Sequence, residues 1–335
     1  MVQIVRDLAG TDFAQKLSVF GSEEFLASKS TDYGWFVSRK FVLPFIVDGR
    51  LRKLGFKRIM LTTEAIRRGE SPTPEEEHGF LEDVLRVCAQ GKQISADSIA
   101  TQANAVFRSV PLGSDSLPWG SYVVDLTKPE TAIFDSFDPA HKNRIRKGIR
   151  DGVVVTTTND IDTVYENVKA TMARQRLLFF PSRSYLAELQ KRLGPMITFY
   201  VAQHENRLQG SAVVVHNQCG AFYYYGGSIV EPSPGSLTLM HFEIIKNLKK
   251  KNVPVYDLMG ARLTTGNDAK IEGIQRFKRR FASGMRIGFC FRSILSPLRH
   301  RMMLAAVKTF FVLKGSHYSG DVFDQARHNQ ASVTT

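Results

Sequence analysis

Asp257 sits near the end of the expected strand Pro254–Leu258, and a carboxylate at the carboxyl end of a buried strand stands where ligand clefts of α/β sheets open. There it can accept a proton from an amine or orient one. It can equally cap the turn at Met259-Gly260. Tyr256 points to the opposite face of the same strand, so at most one of the two faces such a cleft. Tyr223, Tyr224 and Tyr225 form a second run, with Tyr224 facing away from its neighbours; one face is core and the other is free to line a cleft. Gly235 and Ser236 open a helix after Glu231-Pro232-Ser233-Pro234. The first-turn N–H groups there make a phosphate seat, or Ser236 is an ordinary cap. Arg144, Arg146 and Lys147 belong to a cluster of five cations between Lys142 and Arg150. They suit the phosphates of tRNA or of a nucleotide- or lipid-linked sugar, or else a solvated helix face. Phe277-Lys278 falls in another basic segment. Taken alone, it reads as a core phenylalanine beside a solvated lysine.

Several chemistries find no residues to carry them. Cys88, Cys219 and Cys290 are far apart and odd in number, with no CxxC or Cys/His spacing, so neither a disulfide framework nor a zinc site is expected. His141, His204, His216 and His241 lack metal-ligand spacing and read as structural. No Ser or Cys stands in a nucleophile motif. The N-terminus has no basic-then-apolar signal, and no apolar run is long enough to span a bilayer. A reducing cytoplasm is the expected compartment. Net charge is +13, and residues 246–335 hold 17 Lys and Arg against 5 Asp and Glu. Such asymmetry favours anionic partners.

At 335 residues the chain suits two domains, with a boundary near residue 130. Residues 1–130 read as an irregular α/β unit. Tyr33–Ser38 and Phe41–Val47 are strand-like, and Pro44 marks the second as an edge strand or a bulge. A helix follows the loop at Glu70–Glu75, and Gln102–Val110 and Ser121–Leu126 are further strands. Residues 131–293 are more regular. Asp138-Pro139 starts a basic helix ending at Gly152. Helices at 160–177 and 182–193 precede strands at 196–203, 208–216 and 221–228. A helix at 236–250, a strand at 254–258, a basic helix at 271–280 and a strand at 285–291 complete the order. No internal repeat is visible. An antiparallel meander followed by a helical crossover predicts a mixed sheet that splits where the parallel strand joins. Ile294–Lys314 is a basic amphipathic helix that either docks or lies on an anionic membrane, and the tail beyond Gly315 looks disordered.

The ordered set Asn143–Gly148, Ala221–Gly227, Pro234-Gly235, Tyr256–Gly260 and Phe277–Phe281 resembles the Fem family, the aminoacyltransferases of peptidoglycan interpeptide bridges, and their acyltransferase relatives of surface-polysaccharide clusters within the acetyltransferase-like (GNAT) superfamily. The resemblance implies an α/β (α+β) fold with two acetyltransferase-like domains, the first degenerate. It implies transfer of an acyl or aminoacyl group from aminoacyl-tRNA or an acyl thioester such as acyl-CoA to an amine of a cell-envelope precursor or amino sugar, with no bound cofactor. It also implies that Phe277-Lys278 lies at the reacting ester, with Lys278 stabilising the oxyanion and Phe277 walling the donor pocket. The usual pyrophosphate loop before the Ser236 helix is absent, and no coiled-coil insertion is present. Two rivals remain: a non-enzymatic nucleic-acid-binding protein, and an inactive membrane-bound scaffold of the same fold.

Overall fold

The computed structural model describes residues 1–48, 55–69, 71–175, 181–263, 269–313 and 323–324. The predicted loop start at Glu70, the helix end at Leu177 and the tail beyond Gly315 lie outside these, apart from Phe323 and Asp324. In chain order the first elements are β1 (Gln3–Val5), α1 (Glu23–Lys29), β2 (Tyr33–Val37), β3 (Phe41–Val47), β4 (Arg58–Leu61) and β5 (Ile66–Arg67). Next come α2 (Pro74–Gln90), β6 (Ser98–Thr101), β7 (Asp115–Asp125), α3 (Glu130–Ser136), α4 (Pro139–Arg150) and β8 (Val154–Thr158). Helices α5 (Ile161–Arg174) and α6 (Arg183–Leu193) lead to β9 (Ile197–His204), β10 (Arg207–Asn217) and β11 (Gly220–Ser228). The remainder is α7 (Ser236–Lys250), β12 (Val255–Asp257), β13 (Ala261–Arg262), α8 (Ala269–Arg279), β14 (Gly284–Ile294) and α9 (Pro297–Leu313).

Two compact units form, and both are discontinuous in sequence. Unit 1 comprises Met1–Ser121, Gly260–Glu272 and Arg286–Thr335; unit 2 comprises Tyr122–Met259 and Gly273–Met285. The sequence reading had divided the chain into contiguous segments instead.

In unit 1 the strand order is β1-β2-β3-β4-β6-β14. The first three pairings are antiparallel, β4–β6 is parallel across the α2 crossover, and β6–β14 is antiparallel. Helix α2 starts with a capping box between Thr73 and Glu76 and buries Phe80, Leu81, Val84 and Cys88 against Phe45, Ile59, Leu61 and Ile99. Pro44 is not on an edge. Strand β3 is paired by β2 on one side, and on the other β5 faces Phe41-Val42 while β4 faces Phe45–Val47. The missing N–H of Pro44 falls at the junction between those two partners, where no ladder bond is lost. The expected strand Gln102–Val110 is irregular. Ala105 N–H turns back to Gln102 O, and the real strand, β6, ends just before it.

Unit 2 repeats this topology. Its order is β8-β9-β10-β11-β12 with the end of β7 as the sixth strand. The pairings are again antiparallel except β11–β12, which is parallel across the α7 crossover. Local signals act as expected. Asp138 accepts from Ala140 N–H at 2.8 Å to start α4, and Asp160 and Ser182 cap α5 and α6. The β9–β10 hairpin turns at Glu205 and Asn206, both with positive φ. Two elements of unit 2 went unread: α3, and β8, a largely polar strand lying outside β9 at the end of this order. Val164, Val168, Leu239, Ile244, Ile245 and Leu248 anchor α5 and α7 in the core.

Candidate active site

The two parallel pairs differ in how far they extend. In unit 1 all four residues of β4 pair with all four of β6. Beyond them Gln102 N–H bonds Leu61 O and the Asn104 side chain bonds Thr62 O, so the seam stays closed. In unit 2 only Ala221 and Phe222 of the nine-residue β11 pair with Tyr256 and Asp257 of β12. After Asp257 the chain leaves strand geometry at Met259 and Gly260, with φ of 56° and 51°. Opposite Tyr224 the β10–β11 register slips, so that Val213 faces Tyr225 and Val214 faces Tyr223. Tyr224 is thus the extra residue of a β-bulge, a device that re-aims side chains beside a site. The bulge corrects the strict alternation expected for this run: the rings of Tyr224 and Tyr225 lie 4.3 Å apart, and Tyr224 Oη is 3.0 Å from Tyr185 Oη.

Lys278 comes to the end of β12 from α8 and donates from Nζ to the Met259 carbonyl. Burial of the ammonium pulls its pKa down to about 8, against the opposing pull of the Asp257 charge. Asp257 is 2% exposed and accepts from Met259 N–H at 2.7 Å, holding the turn whose carbonyl binds the lysine. Of the roles weighed for Asp257, acceptor of or guide for an amine and cap of the turn, this hydrogen bond is the turn cap. Phe277 stacks edge-on to His141, His241 and Phe281 with centroids 5.1, 5.4 and 5.4 Å apart. Tyr256 is fully buried and its hydroxyl meets His241 Nδ1 at 3.1 Å. Burial holds His241 at about 3 and His141 at about 4, so both rings are neutral at pH 7. The His141 Nε2–H then donates to Phe277 O at 3.0 Å. These histidines are structural, as read from sequence. Their place in the wall beside Lys278, however, had no signal beyond lying on the apolar faces of α4 and α7. Tyr185, the partner of Tyr224, was likewise missed.

The remaining candidates are spread. Gly235, at φ 96°, packs against α4 so closely that an added Cβ would lie 2.3 Å from Arg144 O. The Ser236 hydroxyl is buried and donates to Ser233 O at 2.7 Å. Both residues serve the α4–α7 contact. Lys147 is ion-paired with Asp151 at 2.6 Å, and Arg146 lies over the Phe134 ring. Arg144 is exposed and forms no ion pair among the described residues. No cluster of His, Cys, Asp and Glu suited to a metal ion occurs among the described residues. No described helix is long and apolar enough to cross a membrane.

Residues 140–279 match the acetyltransferase (GNAT) domain family, a span that holds the open fork and Lys278. A GNAT domain moves an acyl group from an activated donor, generally acyl-CoA, to an amine. In overall fold the chain is similar to FemX, with a TM-score of 0.62 at 12% identity over 85% of this chain and 94% of FemX. It is also similar to the C-terminal domain of a protein assigned as a lysylphosphatidylglycerol synthetase from Agrobacterium fabrum, with a TM-score of 0.53 at 13% identity over 90% and 95% of the two chains. A Bacteroides thetaiotaomicron protein of unknown function gives 0.55 at 11% identity, over 88% of this chain and all of that one. No curated protein matches in sequence. Residues 140–279 thus match a GNAT domain, and the chain as a whole is similar in fold to FemX.

Proposed function

We propose that this protein transfers an acyl or aminoacyl group from an activated ester to an amine on a cell-envelope precursor, within the fork between β11 and β12. The observation that carries this reading is the Lys278 ammonium, sunk at the end of β12 and bonded to a carbonyl oxygen. A donor ester offers the same kind of oxygen, which gains negative charge as the amine adds. The ammonium binds that oxyanion more tightly than it binds Met259 O, a difference of about 3 kcal/mol for one well-placed donor. Asp257 aligns the acceptor amine or takes its proton. The amine attacks directly, and the leaving alcohol or thiol departs with a proton, with no covalent enzyme intermediate. Phe277 and Tyr224 wall the site, while Tyr256, turned towards His241, acts through packing.

Arg144 is available for a donor phosphate, with Arg146 beside it; Lys147 is already paired. Gly235 and Ser236 support the start of α7 behind that face. Partial neutralisation of the basic segments, with Lys147 on Asp151 and Arg280 3.7 Å from Asp138, weighs against generic nucleic-acid binding. Unit 1, with its closed seam, is the degenerate copy of the fold, covering most of residues 1–130. The catalytic domain expected over 131–293 corresponds largely to unit 2, while 294–335 belongs with unit 1. Cys88, Cys219 and Cys290, which form no disulfide among the described residues, suit a cytoplasmic setting.

The test offers purified protein two donor classes, charged tRNA and acyl-CoA, with a precursor pool read by mass spectrometry. An added acyl or aminoacyl mass is expected with wild type and not with Lys278→Ala. Loss of transfer on ribonuclease treatment assigns the tRNA donor. A pool unchanged in mass with every donor would sink the reading.

A further inference from the structure

Helix α9 carries apolar side chains on two opposite faces. One face packs on unit 1, where Met303 joins Phe56, with Leu304, Ala306 and Val307 against them, and Arg299 pairs with Asp97 at 2.6 Å. The other follows the spacing 298, 302, 305, 309, 312, a single stripe of an α-helix. Along it Leu298 is 71% exposed, Met302 54% and Val312 69%, with Leu313 at 81% beside them. Ala305 and Thr309, between them, are exposed too. A docked helix needs apolar residues only on its inner face, and nothing in the packing of the described residues of unit 1 accounts for this outer stripe. The sequence reading left docking and membrane binding as alternatives, and the inner face of the helix is docked.

The charges around the stripe indicate what covers it. Arg301 and Lys308 flank one side, both exposed and neither in an ion pair among the described residues. No Asp or Glu occurs anywhere in Pro297–Leu313. A second copy of this chain would bring the same cations against these. An anionic bilayer offers hydrocarbon to the stripe and phosphates to the two cations at once. We infer that the outer face of α9 is a peripheral binding surface for anionic phospholipid, with Leu298, Met302, Val312 and Leu313 entering the interface and Arg301 and Lys308 at headgroup level. This assignment deepens the envelope-precursor reading, but its test needs neither donor nor acceptor, so either can fail alone.

The experiment is co-sedimentation of the full chain with vesicles of equal phosphatidylglycerol and phosphatidylcholine, with pure phosphatidylcholine as the neutral control. Wild type is expected to pellet with the anionic vesicles and to be released by salt. The variant Leu298→Asp/Met302→Asp/Val312→Asp is expected to remain in the supernatant with an unchanged thermal melt. Because that variant alters three positions, Arg301→Glu/Lys308→Glu provides a second arm, in which affinity for anionic vesicles falls roughly 30-fold or more. Equal pelleting of wild type with both vesicle types, or retained binding by either variant, overturns the inference. So does concentration-dependent dimerisation of wild type that the triple variant abolishes, since the stripe would then join two copies.

Discussion

Replacing Lys278 with methionine should make the protein more stable and less active. Its folded-state pKa is about 8 against an ordinary 10.5, so at pH 7 the native protein carries an ammonium it would rather release. The difference corresponds to about 3 kcal/mol at about 1.4 kcal/mol per unit. Because the side chain keeps some contact with solvent, about 2 kcal/mol is the fairer figure. Methionine fills a similar volume, but leaves Met259 O without this donor, a loss of about 1 kcal/mol. A net gain of about 1 kcal/mol at pH 7 remains, read as a raised urea midpoint. Between pH 8 and 10.5 the unfolded chain holds a proton that the native chain has given up, so wild-type stability should climb with pH there. The variant should lack that climb. Transfer should meanwhile fall about 100-fold or more, and wild-type activity should decline as pH rises through about 8, when the cation is lost. A variant that is less stable, with the alkaline climb intact, would refute a buried, strained cation and return Lys278 to an ordinary helix surface.

Asp257→Asn keeps an oxygen for Met259 N–H but removes the charge that supports the ammonium, so the alkaline limb of a pH–rate profile should move to lower pH; an unmoved limb would show no coupling. Gly235→Ala forces a Cβ to 2.3 Å from Arg144 O at φ 96° and should cost about 2–3 kcal/mol, seen as a lower melting temperature. In unit 1, burial raises the Glu77 carboxyl to about 7 even though it accepts from Arg108 and Ser109 N–H. The native state therefore holds the extra proton between pH 4.5 and 7, and stability should fall as pH rises through that window. Glu77→Gln should flatten that slope in urea titrations, and a slope unchanged in the variant would assign it to another group.

The second half of the chain was legible because its signals are local. Asp138-Pro139, Asp160, Ser182 and the Glu205-Asn206 turn each announce an element within four residues, and the helix-crossover order follows from them. What escaped reading depends on partners distant in sequence. Pro44 was judged from its own missing N–H, whereas its acceptability comes from two short strands sharing one side of β3. The bulge at Tyr224 is a mismatch with β10, and no single strand can display it. The repeated topology of the two units was invisible because sheet order and pairing sense recur while residues do not. At the site, Lys278 was found through resemblance and Asp257 through its strand end. The His141–His241–Phe277 wall arises only when α4, α7 and α8 converge. Gly235 looked like room for a ligand, but the room is taken by a neighbouring helix.

The split membership of unit 1 bears on how the chain is born. Strand β6 leaves the ribosome long before its neighbour β14, and Phe291 N–H must reach back 190 residues to the Thr101 hydroxyl. Unit 2 has nearly all of its strands and crossover helix in hand during that wait, so it can condense first while the early half of the nascent chain stays unfinished with one sheet edge bare. Translation that stops short of residue 284 would therefore leave the second unit tethered to an incomplete, aggregation-prone first one.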